Sequence, residues 1–229
     1  MKSIAALQSC YVPWKGYFDL IAQVDEFVLY DDQQFTKNDW RNRNRIKTPQ
    51  GVQWLTIPVR HERLGQRIDE TRVARPWAEQ HWRTLEQNYG RAPHFAASAG
   101  PVRAAYLELA DEPFLSVINR RLLELACGLL GIGTPLTSSL DYAPLGDRVE
   151  RLLDLCAKTG AGRYVTGPAA GAYLDDERFG AAGVEIVYMD YAGYPEYPQL
   201  HPPFEHAVTI LDLLFNTGPD ARRYLKAPL

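Results

Sequence analysis

Two acids, Asp31 and Asp32, stand side by side, and a row of cations follows at every second position: Arg41, Arg43, Arg45 and Lys47. An extended chain repeats every two residues, so the row would share one face of a strand. Paired carboxylates can hold Mg2+, orient an amine, or push one pKa up for base work. Guanidinium groups match phosphate or carboxylate with a planar fork. Acids and cations so near in sequence could bracket an anionic substrate, with Arg41, Arg43 and Lys47 as its binders. Gln34 and Lys37 lie between the two groups and join the binding candidates. The plainer alternative has one acid capping a turn, the other paired with an arginine, and a solvated charged strand.

A second group follows the first apolar run: Gln8, Ser9, Cys10, Tyr11, Trp14, Gly16 and Tyr17. Gly16 would let backbone approach a ligand closely at a helix start, where free N–H groups favour anions. Cys10 is a candidate nucleophile, because a thiolate near a helix N-terminus has a lowered pKa. A small buried cysteine is the commoner case. His206, beside Glu205 and next to the last apolar helix pattern, is a candidate acid or base. Gly167 opens a small-residue run that would permit close contact with a ligand, or simply helix–strand packing. No spacing indicates a metal centre, and the three cysteines lack a CxxC pair. Phosphate-loop, GxSxG and HExxH motifs are absent.

These residues need elements to position them. SIAALQS (3–9) predicts a strand, YFDLIAQV (17–24) a helix and EFVLYDD (26–32) a second strand. That is the size of a βαβ unit, whose first loop lies at the carboxyl edge of a parallel sheet, where such folds bind ligands. WRNRNRIK and VQWLTIPV, split by TPQG, predict an inserted β-hairpin. Helices are expected over 77–91, 113–131, 148–161 and 204–218, each with a glycine at or near its end, and a strand over 184–191. The expected fold is one α/β domain over 1–229, a three-layer Rossmann-like parallel sheet with the hairpin inserted.

Composition narrows the function. Among 229 residues, 46% are hydrophobic and 23% charged, as in ordinary globular proteins. A net charge of −3 is not that of a general nucleic-acid binder. No apolar run is long enough for a membrane span, and Lys15 and Asp19 come too early for a signal peptide. A cytoplasmic location is expected. Five Trp and thirteen Tyr are many, and several stand beside Pro, Gly and charges, as rings that line ligand sites do.

QSCYVPWKGYFDLI, FVLYDDQQFTKNDWRNRNRIKTPQGVQWLTIPV, GAGRYVTGPAAGAYLD and YPQLHPPFEHAVTILDLLFNTGP together resemble the WbqC-like protein family over nearly the whole chain. The family is bacterial, and its members occur in gene clusters for O-antigen, other surface glycans and natural products. The resemblance implies amide formation, as aminoacyl, glycyl or acyl transfer, on an amino sugar or related small amine. The family usually has a small residue, often Ser or Asn, where this chain has Cys10, and Val where it has Gln33. General thiol chemistry is therefore not implied. The P-x-x-G-Y-F loop after a strand also looks like the opening of nucleotidyltransferase-like enzymes such as pantothenate synthetase. Those carry H-x-G-H there, and both histidines are missing here. The residues name no cofactor. ATP with Mg2+ is one route to an activated acyl group, and a carrier-bound thioester is another. A non-catalytic nucleotide-sugar binding protein and a plain nucleotidyltransferase are the alternatives. The partner expected is a small molecule, with no nucleic acid.

Overall fold

The computed structural model describes residues 1–227. Five strands, β1 (Ser3–Leu7), β2 (Glu26–Leu29), β5 (Leu136–Ser138), β6 (Arg163–Thr166) and β7 (Glu185–Tyr188), form one sheet. Their order is β5-β2-β1-β6-β7, and every pairing is parallel. The chain runs outward from β1 to β5, then returns to β6 on the other side. The order therefore reverses between β1 and β6, and a crevice opens outside their carboxyl ends.

Alternation along the strands assigns the two faces. Ala5, Phe27, Leu29 and Val165 pack with α1 (Lys15–Ala22), α4 (Leu115–Leu130) and α8 (Ile210–Thr217) in the larger core. Ile4, Ala6, Val28 and Tyr164 pack with α6 (Arg148–Thr159) and α7 (Asp176–Ala181) in the smaller one. The result is the expected three-layer α/β architecture. Glycines close two of these helices: Gly131 after α4 and Gly160 after α6 adopt φ 67° and 68°. Such left-handed caps cost other residues strain.

The insertion between β2 and β5 is larger than a hairpin. It holds β3 (Arg43–Thr48) and β4 (Gly51–Thr56), then α2 (Ala78–Tyr89), α3 (Phe95–Glu108) and α4. The α3 segment carries alanines, a glycine and Pro101, with little apolar periodicity, and the sequence offered no assignment for it. The short helix α5 (Ser139–Tyr142) follows β5 directly. The last helix begins at Ile210, not 204, so His206 lies in the loop ahead of it.

Tyr11 ties the insertion to the sheet. Its ring is fully buried, edge-on to Trp77, and its hydroxyl meets Tyr106 Oη at 2.6 Å and His81 Nδ1 at 2.8 Å. Deleting one member strands the others without partners in the core. Tyr11→Phe should lose about 1–3 kcal/mol of stability in urea unfolding; an unchanged midpoint would show the network to be idle.

Candidate functional site

The loop after β1, residues 8–14, is almost wholly buried and has no regular structure of its own. Its backbone polar groups therefore need side-chain and long-range partners. Asp31 accepts the Ser9 amide at 2.7 Å. Asn44 donates to the carbonyls of Tyr11 and Val12, and Thr209 donates to Val12 at 2.8 Å. Ile210 N donates to Pro13 O at 2.8 Å. Asn119 on α4 donates to Ser9 Oγ at 3.1 Å and to Arg41 O at 2.8 Å. These contacts hold Val12 at φ 35°, a conformation β-branched residues rarely adopt.

Two clefts open at this loop, one on each side of the end of β1, and Leu7 lines both. The first has a volume of about 480 Å³ and is walled by Trp14, Tyr17, Trp40, Tyr191 and the Gly167–Ala169 turn. Cys10, Arg41 and Asn44 supply its polar atoms. Arg41 Nη1 donates to Cys10 Sγ at 3.0 Å, and Nη2 donates to Gln8 Oε1. Tyr17 Oη donates to the Gln8 carbonyl at 3.0 Å. The Trp14 ring lies over Gly16, where any Cβ would clash with it. Gly16 thus admits the chain's own indole rather than a ligand.

The second cleft, about 620 Å³, is polar. Gln8, Gln33, Gln34, Tyr30, Tyr173, Arg148 and Arg151 line it. The Arg148 guanidinium stacks on the Tyr173 ring, 3.4 Å from its centroid. Arg151 donates to Tyr30 Oη at 3.1 Å and pairs with Asp32. A further depression, beside α2 and residues 110–111, is remote from the sheet edge.

The structure brings together Gln8, Cys10, Trp14, Tyr17, Arg41 and Gly167, and puts Gln34 in the second cleft. Other candidates go elsewhere. The two acids diverge: Asp31 turns inward to Ser9, while Asp32 pairs with Arg151 and accepts from Ser139 Oγ at 2.8 Å. They do not face one another as a metal chelate. No group of three or more His, Cys, Asp or Glu that could hold a metal occurs among the described residues.

The basic row also splits, because the strand starts only at Arg43. Arg43 stacks on Trp54, 4.2 Å from the ring centroid, and Arg45 lies over Trp40 and Trp54. Lys47 is buried and donates to the Pro203 carbonyl. Only Arg41 reaches the cleft. Tyr11 turns into the core, and Lys37 is exposed away from both clefts. His206 packs edge-on to Phe204 outside the lining; burial, and then Lys15, lower its pKa. Burial raises the Cys10 pKa despite Arg41, so the expected lowered thiol is not found.

Some contributors carried no legible role in the sequence. Lys15 is buried, donates to Pro195 O at 2.8 Å, and sits among the rings of Tyr194, Tyr197 and Phe204 at 5.1–5.8 Å. Burial lowers its pKa to about 8. It fastens to α1 the 189–209 strap that supplies Tyr191 and Ala207 to the apolar cleft. The aromatic density of that stretch was the available signal. Arg148 and Arg151 gave none beyond helix-start charge.

The WbqC-like protein family model matches residues 8–224, which include every residue lining the two clefts except Ala6 and Leu7. The chain belongs to the WbqC-like family. It is also 51% identical over 228 residues to the uncharacterized protein Rv1507c of Mycobacterium tuberculosis, covering 99% of this chain and 98% of that one. No solved structure matches this family member significantly. No helix among the described residues is long and apolar enough to cross a membrane.

Asp31 offers a test of the site's electrostatics. Burial raises its pKa from 3.8 to about 6. The folded carboxyl holds its proton more tightly than the unfolded one. It therefore stabilises the fold as pH falls from about 6 toward 3.8, and that contribution is gone at neutral pH. Relative to Asp31→Asn, the wild type should gain up to about 3 kcal/mol between about pH 7 and about pH 4. Buried His81, lowered to about 4, acts oppositely but cancels in this comparison. Urea titrations at the two pH values would refute the assignment if the difference stayed flat.

Proposed function

We propose that this protein is a transferase or ligase that forms an amide on a small amine, such as an amino sugar. The observation that carries this reading is that two ligand-sized clefts, one mainly apolar and one with more polar lining, share Leu7 at the end of β1. An acyl donor in the apolar cleft and a polar amine in the other would reach each other across the end of β1. Holding two reactants in contact accounts for much of the barrier reduction in such transfers. Arg41, in the apolar cleft, would stabilise the negative charge that develops as nitrogen attacks the acyl carbon. Asp31 and Asn119 would act through others, by fixing the loop that presents Cys10 and Arg41. The divergent acids give no step through Mg2+.

A second reading has its own support. Asp31 and Asp32 are both engaged in structural contacts, and the Cys10 thiol is raised. A nucleotide-sugar binding protein without turnover would look the same. Thermal shift with nucleotide sugars and mass spectrometry of the mixture separate the two readings.

The decisive experiment supplies amino sugars with carboxylic acids, first with ATP and labelled pyrophosphate, then with the corresponding acyl thioesters. Amide product is expected by one route, and acid-dependent pyrophosphate exchange would identify an adenylate. Arg41→Ala should cut turnover at least ~100-fold, the scale of losing one charge-stabilising donor. Absence of amide by both routes would end this reading in favour of binding.

A further inference from the structure

The apolar cleft holds one charged side chain, beside Cys10 and Asn44, in a mainly aromatic and aliphatic lining. Arg41 is largely buried, with its side chain 14% exposed. Its close partners, Cys10 and Gln8, are neutral, since the raised thiol stays protonated. Asp39 forms a long ion pair with Arg41 at 3.7 Å, and buried Asp31 interacts with it through space. Arg41 Nε is buried and has no hydrogen-bond partner among the described residues. A guanidinium whose one ion pair is long and peripheral, in a low-dielectric setting, still attracts an anion.

The neighbouring polar groups set the kind of anion. Asn44 Nδ2 is committed to two backbone carbonyls, and Tyr17 Oη and Cys10 Sγ both point to the Gln8 carbonyl. The remaining N–H groups of Arg41 and the indole N–H groups of Trp14 and Trp40 are the side-chain donors this lining offers a ligand. Two parallel N–H groups suit a planar, singly charged carboxylate better than a phosphate, which needs donors on several sides. Trp14, Tyr17, Trp40 and Tyr191 then demand an apolar body. Glycine, which has no side chain, would leave those rings unmatched.

We propose that this cleft binds an organic carboxylate with an apolar body, its carboxylate paired with Arg41 and its body packed between Trp14, Trp40 and Tyr191. This names the acyl-bearing reactant of the transfer reading above and rests on that reading only for its role, not for its binding. Glycine would then not be the acyl group carried.

The test uses the full chain and a graded set of probes: acetate, butanoate, octanoate and 3-phenylpropanoate, each beside its primary amide, with inorganic phosphate and glycine alongside. Calorimetry gives affinities, and the indole N–H signals of Trp14 and Trp40 report the site. Affinity should rise with apolar body size, and each larger acid should bind ~10-fold or more tighter than its amide. Arg41→Met should reduce the acid to the level of the amide and leave the amide unchanged. The acid–amide comparison in the wild type stands even if that variant fails to fold. Equal binding of acid and amide, tighter binding of phosphate or glycine, or no binding by any larger acid would overturn the proposal. Carboxylate binding without amide product would leave it standing and remove the transfer reading instead.

Discussion

Everything at the sheet edge depends on satisfying the backbone of one buried, irregular loop. Residues 8–14 cannot use a ladder or a helix, so Asp31, Asn44 and Thr209 take over as backbone hydrogen-bond partners, and Asn119 holds the Ser9 hydroxyl. These four come from β2's exit, the hairpin, α4 and the cap of α8. The large insertion therefore does more than decorate the fold. It supplies Asn44, which with Thr209 keeps Val12 in its unfavourable conformation, and Asn119, which holds Ser9. With the loop fixed, Cys10, Trp14 and Tyr17 face one side of β1, and Gln8 spans to the other.

Buried acids recur as organisers of this kind. Asp19 accepts from Tyr194 Oη and from the amides of Lys226 and Ala227, fastening the end of the described chain to α1. Asp212 accepts from Tyr89 and Tyr197 at 2.8 and 2.7 Å and from Gln199 at 2.9 Å. Burial pushes the Asp212 pKa up, and the hydrogen bonds oppose that shift. Each acid gathers donors from distant segments, which fixes register among pieces that share little regular structure. The long irregular stretch before α8 is ordered in this way.

β1, β2 and β7 were legible as short apolar runs, and α2, α4, α6 and α8 as helical patterns followed by glycine. The first cleft was half legible. Cys10 and Gly167 follow β1 and β6, whose carboxyl ends topology puts together, and Trp14 and Tyr17 open the helix after β1. What failed was direction. Strict alternation suggested one basic face from Arg41 to Lys47, but Arg41 precedes the strand and Lys47 is drawn under the Pro203 carbonyl. Adjacent acids suggested a pair, yet neighbouring residues leaving a strand point to opposite sides, so Asp31 and Asp32 serve different cores. Tyr11 turns inward because the loop has no period to read. Of the second cleft only Gln8 and Gln34 were anticipated, since Arg148 and Arg151 meet Tyr30 and Tyr173 only through folding.

The apolar cleft has one wall from the beginning of the chain and another from near its end. Trp14 meets Tyr191 and Tyr194 edge-on, and Lys15 clasps the strap that carries them. A chain emerging from the ribosome would hold Trp14 long before its facing rings exist. The cavity is thus a product of completed folding rather than of any local unit. Whatever occupies it must stabilise the molecule as a whole, drawing the first and last segments into the same cooperative transition.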